Sequence, residues 1–447
     1  MTTPTPTVGR VSPQGVTRQD TTAEPATDVG LREANPTYGA GWRHTTWGEV
    51  ATLEYGKALR DYQNTVGEYP VYGTNGPIGF HDSALCKTPG VVIGRKGAYR
   101  GVHYSPRPFF VIDTAFFLKP KAPMNIRWAY YALLTCDINS MDSGSAIPST
   151  SREEFYKLPV SVPPLSEQEI IAGFLARFDD RIALLRETNA TLEAIAQALF
   201  KSWFVDFDPV RARQQGLAPE GMDEATAALF PDGFEESELG LVPKGWKAGS
   251  LADLANLNPE SWTAKKHPAH LAYVDLANAK DNEIAAVTHY PFNEAPSRAR
   301  RVLRSGDTIV GTVRPGNRSF AFIHNAPENL TGSTGFAVLR ALKKESAEYV
   351  FLAATRDASI EHLTHVADGG AYPAVRPEAV AALACVIPSE QILAVFHTVA
   401  EPLLSAVAEN QTQAQTLTTL RDTLLPRLIS GQLRLPGNAP DEFEVIA

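Results

Sequence analysis

Residues Gly144-Ser145-Ala146-Ile147-Pro148 and Gly369-Gly370-Ala371-Tyr372-Pro373 open two copies of one pattern in this chain of 447 residues. Each is followed by an apolar segment that is predicted to form a strand, ending at Pro163 or at Pro388, and then by a long helical run. The two copies lie 225 positions apart. The repeat predicts two related domains with pseudo-twofold symmetry, which suits a target that is itself two-sided.

The composition is that of an ordinary globular protein, with 44% hydrophobic and 20% charged residues. A chain of this length is expected to form several domains. Cys86, Cys136 and Cys385 are isolated in the sequence, which indicates neither a disulfide framework nor a cysteine zinc site. We see no apolar stretch near the roughly 20 residues that span a bilayer, and no apolar signal-peptide core. We therefore expect a cytoplasmic protein without a membrane partner.

The net charge of −9 argues against nucleic-acid binding until its distribution is considered. Residues 205–240 hold nine acidic residues against two arginines, and the C-terminal tail is also acidic. By contrast, residues 41–120 contain nine Lys and Arg against six Asp and Glu, and residues 265–318 contain nine against five. Each globular half is thus mildly basic, with clusters suited to phosphates, although such clusters also occur as ordinary solvated surface.

Two long helices are the sharper structural signal. Ser166-Glu167-Gln168-Glu169 is a typical helix start. Apolar residues then alternate in steps of three and four, a heptad pattern. The predicted seams are Ile182, Leu185, Leu192, Ala196, Leu199 and Trp203 in the first helix, and Phe396, Val399, Leu403, Ala406, Gln413, Leu417, Leu420 and Leu424 in the second. We expect an antiparallel coiled coil.

Each seam carries one asparagine near its middle, and we expect Asn189 to face Asn410 and to set the register. The alternative is that both are surface residues. Pro402 is expected to kink or interrupt the second helix. No GxxxxGK(S/T) phosphate loop and no HExxH zinc pair occurs in the sequence, so we expect neither catalysis nor metal binding by this chain.

Several motifs, in this order, resemble those of the specificity subunits of Type I restriction–modification systems. They are Tyr69-Pro70-Val71-Tyr72-Gly73-Thr74-Asn75-Gly76-Pro77-Ile78-Gly79-Phe80, Val92-Ile93-Gly94-Arg95-Lys96-Gly97-Ala98-Tyr99-Arg100-Gly101, Ser143-Gly144-Ser145-Ala146-Ile147-Pro148-Ser149-Thr150, Pro163-Pro164-Leu165-Ser166-Glu167-Gln168, Phe200-Lys201-Ser202-Trp203-Phe204-Val205-Asp206-Phe207-Asp208-Pro209 and Leu424-Leu425-Pro426-Arg427-Leu428-Ile429-Ser430-Gly431. The resemblance covers residues 42–435, although the second half lacks the Tyr-Gly-Thr-Asn-Gly hairpin.

This resemblance implies an α+β fold with two pseudo-twofold-related, β-rich target recognition domains, separated by two long helices in an antiparallel coiled coil. It implies the noncatalytic DNA sequence-specificity subunit of a Type I complex, which reads a bipartite asymmetric site and serves defence against foreign DNA. Two methyltransferase subunits would bring S-adenosylmethionine. Motor–nuclease subunits would bring ATP and magnesium for restriction, and this chain would bind no cofactor.

The expected division of the chain follows the motifs. It comprises a disordered leader (1–40), target recognition domain 1 (41–163), spacer helix 1 (164–204), an acidic linker (205–240), target recognition domain 2 (241–388), spacer helix 2 (389–434) and an acidic tail (435–447).

Base reading requires donors and acceptors on loops: Arg or Lys for guanine, Asn or Gln for adenine. The candidate DNA-binding residues are Thr74, Asn75, Arg95, Lys96, Tyr99 and Arg100 in the first half, and Lys265, Lys266, Arg300, Arg301, Arg314, Asn317 and Arg318 in the second. Some have simpler interpretations: Asn75 as a turn residue, Tyr99 as a core aromatic, and Arg300 with Arg301 as a solvated charge run. A fused methyltransferase or nuclease would need a cofactor-binding βαβ unit or a metal-binding carboxylate cluster, and no segment of this chain has room for one. The alternative function is a protein-binding assembly scaffold without direct DNA readout.

Overall fold

The computed structural model describes residues 41–60, 67–141 and 147–435, and the backbone alone of Arg32–Glu33. These residues form two compact units. The first unit holds the chain up to Leu175 together with the residues from Asp422 onward, and the second unit is Ala176–Arg421.

The first unit is mainly β structure with short helices. Its strands are β1 (Arg32–Glu33), β2 (Arg43–Thr46), β3 (Ala51–Tyr55), β4 (Tyr69–Gly73), β5 (Gly76–His81), β6 (Gly90–Gly94), β7 (Val102–Ser105), β8 (Phe110–Val111), β9 (Ala115–Pro120) and β10 (Pro159–Val162). Its short helices are α1 (Trp47–Val50), α2 (Ile126–Leu134) and α3 (Arg152–Lys157), after which the long helix α4 (Leu165–Phe204) begins. The core contains the buried rings of Trp47, Trp128 and Phe155.

The second unit follows the same plan with more strands. They are β11 (Phe234–Ser237), β12 (Gly240–Pro243), β13 (Lys247–Ser250), β14 (Ala255–Leu257), β15 (His270–Val274), β16 (Ala279–Lys280), β17 (Glu283–Ile284), β18 (Thr288–Pro291), β19 (Ala299–Val302), β20 (Asp307–Gly311), β21 (Phe320–Phe322), β22 (Leu330–Ser333), β23 (Phe336–Ala341) and β24 (Ala384–Ile387). The helices are α5 (Asp208–Gln214), α6 (Glu224–Leu229), α7 (Ala347–Thr355), α8 (Asp357–Val366), α9 (Pro377–Ala381) and α10 (Glu390–Ile429). The chain then returns to the first unit through β25 (Leu433–Arg434).

The sheets confirm the internal repeat. The first unit has a four-stranded sheet in the order β3-β9-β6-β7, and the second unit has one in the order β14-β23-β20-β21. A second sheet has the order β5-β4-β8 in one unit and β18-β15-β22-β19 in the other. In these sheets, β4 and β15 each have one antiparallel neighbour and one parallel neighbour. In each unit a short helix, α2 or α7, follows the last strand of the four-stranded sheet.

The long helices α4 and α10 pair antiparallel within the second unit. Arg421 of α10 contacts Asp179 near the start of the paired segment, whereas Phe396 packs against Phe204 at the end of α4, with ring centroids 4.9 Å apart. Between these ends, Ile182 and Leu185 share a small apolar cluster with Ala414 and Leu417. The predicted antiparallel coil is therefore confirmed, and the aromatic cluster around Phe204 holds its end in the core of the second unit.

The seam predicted for α10 is displaced by one residue over part of its length. The buried positions include Ala400, Leu404, Val407 and Ala414, whereas Val399 is 40% exposed. This half of α10 packs against α7 as well as α4. Because two neighbouring helices determine which of its residues are buried, heptad counting alone cannot predict them. The expected interruption at Pro402 is wrong: α10 continues through that residue, whose ring faces solvent while the opposite face stays packed.

The apolar face of α10 also bears on the membrane question. By length and composition α10 is apolar enough to cross a bilayer, with a window of mean hydropathy 1.4. In the structure this face covers α4 and α7, and the same helix carries the polar contacts of Asn410 and Arg421. One third of that apolar window is buried by these contacts.

The acidic segment 205–240 is folded and is not an open linker. It contains α5, α6 and most of the β11–β12 hairpin. Phe207, Val210 and Phe230 are buried in the core of the second unit, beside Trp203 and Trp246. The acidic residues lie between these apolar residues in the sequence. The acidic composition of the segment therefore did not indicate that it packs into the core. The expected acidic tail beyond residue 435 and all of the leader except the backbone of β1 lie outside the described residues.

Candidate nucleic-acid interface

The first unit brings the β4–β5 hairpin against the loop that follows β6. We call residues 95–100, and the equivalent residues 312–318 after β20, the strand-exit loops. The hydroxyl of Thr74, in the two-residue turn of the hairpin, lies 2.9 Å from the carbonyl oxygen of Lys96. A β carbon on Gly94 would come within 2.7 Å of the Thr74 carbonyl oxygen, so this close approach requires glycine.

Most first-half candidates are open to solvent on this surface. Asn75 and Lys96 are exposed, and Tyr99 is 80% exposed, so Tyr99 is not a core aromatic. The Arg95 guanidinium carbon lies 4.9 Å from the centroid of the Tyr55 ring, and its Nη1 donates to a backbone carbonyl. The structure therefore gathers Thr74, Asn75, Arg95, Lys96 and Tyr99 on one loop surface.

Arg100 differs from these neighbours. It is only 3% exposed, and its Nη2 donates to the carbonyl oxygens of Asn139 and Met141, each at 2.8 Å. A guanidinium that satisfies buried carbonyls in this way holds the loop together. Because Arg100 is buried, we remove it from the residues proposed for DNA contact. It was predicted as a candidate because sequence spacing alone cannot distinguish a buried arginine from an exposed one.

A second loop is attached to each strand-exit loop in the same way. We call residues 147–150 and 372–375 the proline loops. In the first unit Gly97 N donates to Pro148 O at 2.9 Å, and Thr150 N donates to Arg95 O at 2.9 Å.

In the second unit Arg314 N donates to Pro373 O at 2.7 Å, and Val375 N donates to Thr312 O at 2.9 Å. The four bonds make Thr312 the counterpart of Arg95, so Val313 is the counterpart of Lys96. The two basic side chains of the first strand-exit loop are therefore not repeated at the same positions.

The second strand-exit loop carries its charge on other residues. Arg314 and Asn317 are exposed, and the Arg314 guanidinium carbon lies 4.6 Å from the centroid of the Tyr372 ring. Arg318 is held by ion pairs to Asp281 and to Asp357, at 2.5 Å and 2.8 Å. Arg318 thus braces the loop, whereas Arg314 and Asn317 face solvent.

The remaining second-half candidates form a separate group beside β19. Lys265 and Lys266 are exposed on a tight turn, in which the amides and carbonyls of Thr263 and Lys266 bond to each other. Arg300 is partly exposed, with its guanidinium carbon 5.0 Å from the centroid of the Phe292 ring, and burial lowers the pKa of Arg301. The turn meets β19 through a bridge between Ser261 and Arg301.

The two coiled-coil asparagines meet. Asn410 Nδ2 donates to Asn189 Oδ1 at 2.8 Å, and Asn189 Nδ2 donates to the Val407 carbonyl at 3.1 Å. Asn189 is 9% exposed, so this amide pair is largely removed from water. The contact is geometrically suited to setting register; that role itself stays a prediction.

Sequence reasoning missed a polar clamp next to this pair. Asn282, in the β16–β17 turn with φ +65°, donates from Nδ2 to Glu193 of α4 at 2.6 Å. Gln411 of α10 donates to the Asn282 carbonyl at 2.8 Å, and burial raises the pKa of Glu193. Nothing in the local sequence indicates that this turn binds both long helices.

Metal chemistry has no evident location in the described part of the chain: there, no three or more His, Cys, Asp or Glu side chains are grouped as metal ligands. The three cysteines are free thiols there. The arrangement is therefore one of loops that present donors, acceptors and rings, supported on two sheets.

Comparison with known proteins shows which proteins the chain resembles. Residues 40–194 match the model of the Type I restriction modification DNA specificity domain. The chain is 24% identical to the Type I restriction enzyme HindI specificity subunit of Haemophilus influenzae, over 72% of this chain and 81% of that protein. It is 23% identical to the MjaIX specificity subunit of Methanocaldococcus jannaschii, over 71% of each.

The fold agrees with these relatives. The crystal structure of the Type I restriction–modification S subunit from M. genitalium superposes with a TM-score of 0.55 at 15% identity, covering 89% of this chain and 98% of that one. Over most of its length the chain is therefore similar to the specificity subunits of Type I restriction–modification systems.

Proposed function

We propose that this chain is a noncatalytic subunit that reads a bipartite, asymmetric DNA site and directs adenine methylation and restriction by partner subunits. One observation carries the proposal: both units attach a proline loop to a strand-exit loop through the same pair of backbone hydrogen bonds. On these frames they carry different exposed side chains. A shared frame with different loop residues is suited to reading two different half-sites.

The chemistry of the exposed side chains supports DNA as the target. Lys96 and Arg314 can meet guanine edges or phosphates, and Asn75 and Asn317 can meet adenine edges. Tyr99 adds an exposed ring on the same surface. The supporting candidates for DNA contact are Arg95, Lys265, Lys266, Arg300 and Arg301. Thr74 holds the tip of the hairpin in place.

The coiled coil supports the bipartite part of the proposal. Two recognition surfaces joined by a stiff connection bind together, so that each raises the effective concentration of the other. In this proposal the antiparallel pair of α4 and α10 would act as that connection, and its length would set the gap between half-sites.

Partners follow from the family and are part of the proposal. Two methyltransferase subunits would supply S-adenosylmethionine, and motor–nuclease subunits would use ATP and magnesium, while this chain binds none of these. The assembly would act in the cytoplasm, where it meets both host and foreign DNA.

The proposal is tested by expressing the full chain with its methyltransferase subunits in a host without other adenine methylation. Single-molecule sequencing should then show one bipartite methylated motif, absent when this chain is omitted. Methylation that is independent of this chain, or a complex that assembles but does not select a DNA sequence, would instead favour an assembly scaffold.

A paired substitution tests the assignment within the first unit. Arg95→Ala with Lys96→Ala should weaken reading of one half-site and leave the other unchanged, because both residues belong to one unit. Lys157→Ala is the matched control, since the Lys157 side chain is 70% exposed on α3 of that unit and pairs only with neighbouring Glu154 among the contacts seen here. Equal loss at both half-sites would contradict the assignment.

A further inference from the structure

Both units expose a large apolar side chain at the same position of the repeat. Ile147 is 60% exposed and Tyr372 is 70% exposed, and they lie 225 positions apart, immediately before Pro148 and Pro373. Each residue therefore stands at the start of a proline loop. Exposure of a single large apolar residue is unremarkable, whereas its repetition on two equivalent loops indicates a shared use.

The second proline loop is held firmly by its own backbone. The amides and carbonyls of Asp368 and Ala374 bond to each other at 3.0 Å and 2.8 Å, closing the loop. Gly369 has φ +121°, and a β carbon there would lie 2.9 Å from the Tyr372 carbonyl oxygen. The loop thus presents Tyr372 from a fixed base, at little entropic cost on binding.

The surroundings of these side chains favour DNA over a protein partner. Gly369, Gly370, Ala371 and Pro373 flank the ring, so it projects from a narrow loop and is not part of a broad apolar patch of the kind protein interfaces bury. The Arg314 guanidinium lies 4.6 Å from the ring centroid and its Nη2 donates to the Ala371 carbonyl.

In the first unit, the backbone of exposed Lys96 forms a β-bridge with Ser149, two residues after Ile147. A cation beside an exposed apolar side chain matches a phosphate beside a base.

We propose that Ile147 and Tyr372 insert against bases, each within the half-site read by its own unit, where they contact a base that is partly unstacked. Ile147 would act as an aliphatic wedge and Tyr372 as a stacking ring. The inference rests on the proposed function, since it assigns a contact within the same DNA complex.

The experiment uses the full chain assembled with its methyltransferase subunits and a duplex carrying the mapped site. 2-Aminopurine replaces one base at a time in each half-site, and its fluorescence reports unstacking. The variants are Ile147→Ala, Tyr372→Ala and Tyr372→Phe. Leu134→Ala and Leu241→Ala are the matched controls, since these residues are 38% and 61% exposed in the first and second units.

Each alanine variant should bind the site about tenfold more weakly and lose the fluorescence change in its own half-site only. Tyr372→Phe should keep both, because the ring is retained, and the two controls should behave as wild type. Circular dichroism and gel filtration show whether each variant folds and assembles.

Three outcomes would overturn the proposal. The first is unchanged binding and fluorescence in properly assembled alanine variants. The second is loss of assembly with the methyltransferase subunits while formed complexes bind DNA normally, which would assign the side chains to protein contact. The third is a wild-type complex without sequence-selective binding, which would overturn the proposed function as well.

Discussion

A matched heptad insertion into both long helices tests the spacer model most directly. Seven residues are inserted in α4 between Ile182 and Leu185, and seven in α10 between Ala414 and Leu417. The point in α4 lies between Leu175, where the first unit ends, and the clamp at Glu193. The point in α10 lies between Gln411 of the same clamp and Arg421, where the second unit ends. The insertion therefore lengthens only the paired segment between the first unit and the clamp.

The expected change follows from helix geometry. Seven residues at a rise of about 1.5 Å add about 10.5 Å to each helix. With base pairs about 3.4 Å apart, this corresponds to a gap longer by about three base pairs. Seven residues also make two turns of a coiled coil, so the same faces stay in contact and the Asn189–Asn410 pair is preserved.

Insertion in α4 alone is the control. It would force a choice between the Asp179–Arg421 contact and the Asn189–Asn410 contact, since one cannot be kept without shifting the other. Leaving a buried polar group unpaired costs about 1–3 kcal/mol, so the single insertion should lower stability without producing a clean new gap.

The assay is methylation of duplexes whose half-sites are constant and whose gap varies by single base pairs. The matched variant should prefer the longer gap and keep both half-site sequences. A folded, assembled variant that still prefers the original gap would refute the spacer argument.

Three further predictions concern stability and reactivity. Asn410→Ala should lower the free energy of unfolding, measured by urea titration, by about 1–3 kcal/mol, because Asn189 loses its amide partner. An unchanged midpoint of the urea unfolding curve would show that water replaces the lost amide. Asp307→Ala should lower the free energy of unfolding by about 1–3 kcal/mol, since Arg340 loses its 2.7 and 2.9 Å contacts but keeps its ion pair with Glu260; recognition of one half-site should fail first, and loss of neither stability nor recognition would count against this. Burial raises the pKa of Cys86 to about 12, so its thiol should stay protonated at pH 8 and react with Ellman's reagent only after unfolding; rapid reaction of the native protein would contradict this burial.

Local signals predicted the elements that depend on nearby residues. The hairpin around Asn75 and the two long helices follow from turn residues, caps and periodicity, and the structure confirms them. The repeat was equally visible, because equivalent prolines keep one spacing. These features need only local backbone preferences and a duplicated pattern.

Tertiary packing decided several details that local patterns left open. Arg95 and Arg100 lie in one motif, yet Arg95 is partly exposed and Arg100 is enclosed by carbonyl groups. The buried stripe of α10 moved by one residue, because that helix packs against two neighbours. The clamp at Asn282 joins residues far apart in the chain, and no local rule predicts such a contact.

By itself, the sequence determined a duplicated α+β chain, two paired rods and the family, because these depend on spacing and on short-range preferences. Only the tertiary structure decided which polar side chains face solvent and which hold the loops together. The physical reason is that burial depends on every element packed around a residue. The tertiary structure also showed that the two units share their loop connections but differ in the side chains that those loops present.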